Sequence, residues 1–146
     1  MKVRKGFTLV ELLIVMAIIA ALMAVLIPTA GGAMKKAKAT KIAVTMRNIE
    51  QAAEQWLMAE LPQANNGSYS ITIDNLVSKG YLNDGDYTNY SLDVSETGDI
   101  ITIKVQYTTT DSDLANMIEG SLKETYPNVD YTNNNVTIEA TISKFW

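Results

Sequence analysis

The chain has 146 residues, 47% of them apolar, and a formal net charge of −4. It contains no cysteine and no histidine, which excludes disulfides, thiolate metal sites and imidazole general-base chemistry. A catalyst would have to rely on Ser, Lys, Tyr and carboxylates alone, so neither an enzyme nor a cofactor is expected.

The charge falls into three zones. Lys2, Arg4 and Lys5 come first, and a purely basic group follows later: Lys35, Lys36, Lys38, Lys41 and Arg47. From Asn48 onward four lysines (Lys79, Lys104, Lys123 and Lys144) face fifteen of the sixteen acids, a net of −11. Such a surface favours solubility and disfavours nucleic acid, whose phosphates are held by Lys and Arg.

Between the two basic zones, Phe7 to Ile27 is apolar except for Thr8 and Glu11. As a helix rising ~1.5 Å per residue it would span roughly 31 Å, about the hydrocarbon thickness of a bilayer. The cations before it predict a cytoplasmic N-terminus and a translocated remainder. A cleavable secretory signal ending near Gly31-Gly32-Ala33 is the bland alternative, but this run exceeds the ~7–15 residues of a signal core and holds a carboxylate. A plain membrane anchor gives no reason for Glu11. An acid in lipid costs a few kcal/mol unless partnered, less near the end of the span. A cut between Gly6 and Phe7 would create an α-ammonium four residues away. An adjacent subunit's ammonium would reach Glu11 with better geometry and set the axial register of assembly.

The run Lys5-Gly6-Phe7-Thr8-Leu9-Val10-Glu11-Leu12-Leu13-Ile14-Val15 resembles the processing and assembly motif of type IV prepilins and pseudopilins. The resemblance extends over about the first 35 residues, including Pro28. It implies cleavage after Gly6 by a prepilin peptidase, N-methylation of Phe7, and Glu11 as the assembly carboxylate. Pro28, with Gly31 and Gly32 one turn on, predicts a kink at the membrane exit, since proline removes a backbone bond and glycine weakens a helix. The related pili further imply that Ala24 to Gly32 loses helical bonding inside a filament.

Residues 35–60 read as an amphipathic helix, with Ile42, Met46, Ile49, Ala53 and Trp56 recurring on one face. That stripe is the expected seam for a head domain, and Pro62 ends the helix. The lysines from Lys35 to Lys41 would ring the stalk and face either lipid phosphates or acids of neighbouring heads. Leu61 to Ile73 reads as a loop turning at Asn66-Gly67. Asp74 is positioned to cap a short helix that Gly80 closes. The segment around Leu76-Val77 and Gly80-Tyr81-Leu82 is similar to one in pseudopilins and disulfide-free pilins.

Two hairpins follow. Tyr90, Leu92 and Val94 alternate toward a turn at Glu96-Thr97-Gly98-Asp99, and Ile101, Ile103 and Val105 return. Asp111-Ser112-Asp113 caps a helix through about Glu124, with Leu114, Met117, Ile118 and Leu122 inward. Val129 to Tyr131, the Asn133-Asn134-Asn135 turn and Val136 to Phe145 form the last hairpin. Asp84 and Asp86 flank Gly85 as in some calcium loops, but the run supplies too few oxygens alone and reads as a plain turn. Phe145-Trp146 either closes the core edge or meets a neighbour. The seven tyrosines are ordinary for a strand-rich domain.

The expected fold is α+β: a leader at 1–6, a transmembrane and filament-core helix at 7–34, a stalk helix at 35–60 and an antiparallel-sheet head at 61–146. The resemblance implies a homopolymeric extracellular filament for adhesion, motility or DNA uptake, made from an inner-membrane precursor by a prepilin peptidase and an assembly platform. A secretion or competence pseudopilin and a non-polymerising anchored domain remain the alternatives.

Overall fold

The computed structural model describes residues 6–146; Lys2, Arg4 and Lys5 lie outside them. The chain divides into two compact units, residues 1–35 and 36–146. Helix α1 (Leu9–Glu60) supplies most of the first and opens the second. The second unit continues through α2 (Ile73–Ser78), β1 (Tyr90–Thr97), β2 (Ile100–Thr108), α3 (Ser112–Leu122), β3 (Asp130–Thr132) and β4 (Asn135–Ser143). This is the α+β, type IV pilin-like architecture expected from the sequence.

The predicted stripe on residues 36–60 of α1 is the core seam. Ile42, Met46, Ile49, Ala53 and Trp56 are buried, joined by Ala39, Ala43, Ala52 and Leu57. They share one apolar cluster with the inner face of the sheet, Val94, Ile101, Ile103, Val105, Val136 and Ile138. Removing each large aliphatic side chain from water contributes about 1.5–3 kcal/mol. Alternation along β2 puts Ile101, Ile103, Val105 and Tyr107 inward and their neighbours outward, as a sheet with one solvated face requires.

The strand order, β1-β2-β4-β3, was beyond the reach of local pattern. Both predicted hairpins form, and they join because β4 pairs with β2 along nine residues, from Ile100–Ser143 to Thr108–Asn135. Thus β4 lies between β2 and the short β3. Helix α3 bridges the hairpins and neighbours β3 and β4. The outer edge of β1 is partly covered by the loop before α2, where Tyr69 N donates to Val94 O at 2.9 Å and Glu96 N to Gly67 O at 2.8 Å.

Turn chemistry follows the sequence with adjustments. Asn66 and Gly67 both have positive φ, and Asn65 and Ser68 exchange backbone bonds across them, the left-handed pair that twisted strands favour. The first hairpin turns on Gly98-Asp99 alone and the second on Asn133-Asn134. Helix α2 is capped by Thr72, not by Asp74: Thr72 Oγ1 accepts from Asn75 N while Asn75 Oδ1 accepts from Thr72 N. A hydroxyl one residue before the helix reaches its third amide, whereas Asp74 already lies within the first turn. Gly80 closes α2 at φ +81, with Gly80 N donating to Val77 O and Tyr81 N to Leu76 O, the paired bonds of a left-handed helix stop.

Asp111 caps α3, its carboxylate accepting from Leu114 N at 3.1 Å. The helix ends at Leu122, before the expected Glu124, and Tyr126 N turns back to Leu122 O. Leu114, Ile118 and Leu122 are buried as expected, but Met117 is 37% exposed and Ala115 takes the inward place. The buried face is thus shifted around the helix, and the smaller side chain fits beneath it.

The two terminal aromatics divide. Trp146 packs against the core and donates Nε1–H to Pro62 O at 3.0 Å, whereas Phe145 is 68% exposed. Lys144 Nζ bonds both Glu96 carboxylate oxygens at 3.0 Å, and Tyr69 donates its hydroxyl to the same carboxylate. These bonds, Tyr69 first, hold the Glu96 carboxyl below its ordinary range. Burial and then Glu96 push the Tyr69 phenol up to about 12.

Thr72→Ala should lower the unfolding free energy by about 1 kcal/mol, the usual loss for a cap. Asp74→Ala should cost less, and urea unfolding of the two variants compares them directly.

Candidate functional site

The N-terminal unit is built on the start of α1. Thr8 is the residue before the helix, and its side chain and that of Glu11 cap each other's amides. Thr8 N donates to Glu11 Oε2 at 2.9 Å, and Glu11 N donates to Thr8 Oγ1 at 3.2 Å. Two otherwise unpaired amides at the helix start are thereby satisfied. The positive end of the helix also favours a carboxylate there. The Thr-x-x-Glu spacing was legible in the sequence, yet the sequence reading assigned Glu11 a partner from another subunit and overlooked this local donor.

Gly6 and Phe7 precede the cap outside any helix, and Phe7 is 92% exposed. Among the described residues α1 is the one helix long and apolar enough to cross a membrane. Its large apolar side chains from Leu9 to Ile27 are all exposed.

Pro28, Gly31 and Gly32 lie inside α1, which is helical on both sides of the proline. Pro28 has no N–H to offer the carbonyl one turn earlier. The next residue adds a side-chain bond nearby, since Thr29 Oγ1 donates to Leu26 O at 2.9 Å. A Cβ placed on Gly31 or Gly32 would meet nothing within 4 Å. Among the described residues, no contact inside the chain requires glycine at either place.

In the head, Asn83 to Asp86 is irregular chain rather than the expected turn, which falls at Thr88-Asn89, and its polar groups are spent locally. Asp86 Oδ1 accepts from Thr88 Oγ1 at 2.6 Å and Thr88 N at 3.1 Å, bonds that keep its carboxyl below the ordinary range. Tyr87 donates its hydroxyl to Asn83 O at 2.7 Å. Asp84 and Asp86 are not joined by a third acid, since no group of three or more potential metal ligands gathers among the described residues.

One buried acid escaped the sequence reading. Glu50, only 6% exposed, faces inward from α1 and accepts the Tyr126 hydroxyl at 3.0 Å. Beside it Arg47 Nη2 donates to Ser121 O at 2.9 Å. Burial raises the Glu50 carboxyl above its ordinary pKa, against the opposing Tyr126 bond, and Glu54 adds to the rise. Glu50 follows Met46 by four residues and Ala43 by seven, so helical spacing placed it on the apolar face.

Residues 1–27 match a family model described as the prokaryotic N-terminal methylation motif. A curated relative, the type IV wide pilus major component PilA4 of Thermus thermophilus, is 41% identical over 80 residues. That match covers 55% of this chain and 56% of the relative, so the chain spans about half the length of the curated protein it matches. No solved structure matches the chain.

A raised carboxyl pKa in the fold means stability is greatest when Glu50 is protonated and is lost as pH rises through the folded-state value. Glu50→Gln should remove this loss. The stability of the wild type relative to Glu50→Gln should therefore fall as pH rises above the ordinary carboxyl pKa, about 4, and level off once the raised folded-state value is passed. Thermal melts of both proteins across that range read the difference, in which the opposite contributions of Glu96 and Asp86 cancel.

Proposed function

We propose that this chain, a member of the type IV pilin superfamily, is the precursor of a structural subunit that polymerises through its N-terminal helix into an extracellular filament. The observation that carries this reading is an apolar helical segment, exposed along its length, with a single carboxylate at its first turn. The name of the Thermus relative, a pilus major component, favours a surface pilin over a secretion pseudopilin.

Processing between Gly6 and Phe7 would leave the Phe7 amine one residue before the Thr8 cap. In the membrane, the Thr8 amide shields the Glu11 carboxylate, which would otherwise cost a few kcal/mol in lipid. During assembly, the ammonium of a neighbouring Phe7 is the stronger partner, because it carries a full charge in a low-dielectric core. The exchange of a local dipole for a neighbour's charge happens at one stagger only, so it selects register as well as affinity. The apolar faces of the helices then cover one another as they leave lipid, and the chain plays a structural, non-enzymatic part.

Pro28, Gly31 and Gly32 mark where this helix gives way within a filament. The proline lacks one bond already, and the glycines weaken the next turn by about 1 kcal/mol each relative to alanine. Their lack of steric need inside the chain supports a role in packing or extension between subunits. The precursor sits in the inner membrane with N-terminus inside, and the basic residues Lys2, Arg4 and Lys5 support that orientation.

Glu11→Ala should be processed normally yet give about tenfold fewer filaments or less, the effect of losing roughly 1.4 kcal/mol per subunit contact. Electron microscopy of sheared preparations counts them, and wild-type yields from this variant would refute the assembly role. Gly6→Val should leave the first six residues attached, and mass spectrometry of the N-terminus decides it.

A further inference from the structure

The head unit, residues 36–146, holds eight Lys or Arg against fifteen Asp or Glu. Its lysines fall into two classes. All four beyond α1 have an acid within reach: Lys79 with Glu60 at 2.6 Å, Lys104 with Glu139 at 2.9 Å, Lys144 with Glu96 at 3.0 Å and Lys123 with Glu119 at 4.0 Å. Among the described residues, no such pair engages Lys36, Lys38 or Lys41, all exposed in a unit rich in acids, and the last two share one groove.

These two lysines occupy one side of a groove of about 430 Å³. They follow one another at i and i+3 on α1, so they project over the same helix face. The same groove is lined by Tyr87, Tyr90 and Tyr107, whose rings contact in sequence: Tyr87–Tyr90 at 6.1 Å and Tyr90–Tyr107 at 4.9 Å between centroids. The remaining acid in the groove, Asp86, is held by Thr88 on its own loop. The groove therefore offers two cations, without an ion-pair partner among the described residues, beside a run of tyrosine rings.

We propose that this groove is an inter-subunit dock, in which Lys38 and Lys41 receive carboxylates from the acidic head of a second copy of this chain. The inference rests on the filament reading and adds to it a contact between heads, separate from the helical core. Charge complementarity carries it: two lysines without an ion-pair partner among the described residues lie in a groove, and a second copy's head brings an excess of carboxylates. The contact is salt-sensitive, because exposed pairs are screened within about 8 Å at physiological ionic strength.

The test is zero-length carbodiimide coupling of wild-type filaments assembled from mixed isotopically light and heavy subunits, followed by peptide mass spectrometry. Mixed light–heavy peptides joining Lys38 or Lys41 to a head Asp or Glu are expected. The double variant K38Q/K41Q should lose those peptides and its filaments should dissociate at lower salt than the wild type. The variant K38R/K41R, which keeps the charge, should retain wild-type salt resistance and shows that the loss is not one of folding. Filaments that form normally while both lysines couple only within their own chain, or not at all, overturn this dock and leave the filament reading standing. Protection of the two lysines from acylation by anionic vesicles, but not by assembly, also overturns it in favour of a lipid partner. Absence of wild-type filaments overturns both readings together.

Discussion

The proposed assembly rests on one constraint, a carboxylate at the first turn of an apolar helix. Glu11 cannot sit uncompensated in hydrocarbon, and the structure meets that demand with the amide of Thr8, at 2.9 Å, in a reciprocal cap. The solution is local and modest. An amide dipole satisfies a lone pair without cancelling the charge, so an exogenous cation is still the better partner. On the proposed reading, a subunit built this way would be tolerable in a membrane and better satisfied in a polymer, which is the asymmetry an assembly reaction needs.

The head is organised by a different balance. Its core is a helix stripe laid on the apolar face of a four-stranded sheet, and its polar bonds fasten the ends of the chain. Trp146 to Pro62 and Lys144 to Glu96 tie the C-terminal residues to the loop after α1 and to the end of β1. With no cysteine in the sequence, such contacts supply the long-range fastening that cross-links supply in small disulfide-bonded domains. Glu50 and Tyr126 make a similar tie in the interior, between α1 and the turn after α3. There the cost of burying an acid is offset only partly by one hydroxyl donor.

Much of the fold was legible in the residues alone. The period of Ile42, Met46, Ile49, Ala53 and Trp56 identified the buried face because a helix on one side of a sheet must place every third or fourth residue inward. Alternation in Ile101, Ile103 and Val105 did the same for β2. Misses occurred where two local solutions compete within a residue or two. Thr72 displaced Asp74 as a cap because the helix starts at Ile73, which leaves Thr72 just outside it, and Ala115 displaced Met117 beneath α3, where only packing chooses between them. Glu50 was missed because an acid on an apolar face looks like a break in the stripe until its tyrosine, 76 residues away, is seen.

Local sequence was enough for the apolar span, the acid within it, the helix and strand types and most of the turns, because each follows from propensities and periods acting over a few residues. Folding in three dimensions was needed for the pairing of β2 with β4, the burial of Glu50 beside Tyr126 and the gathering of Lys38 and Lys41 into one groove with Tyr87, Tyr90 and Tyr107. Those contacts join residues distant along the chain, and their energies depend on distances that no local pattern encodes.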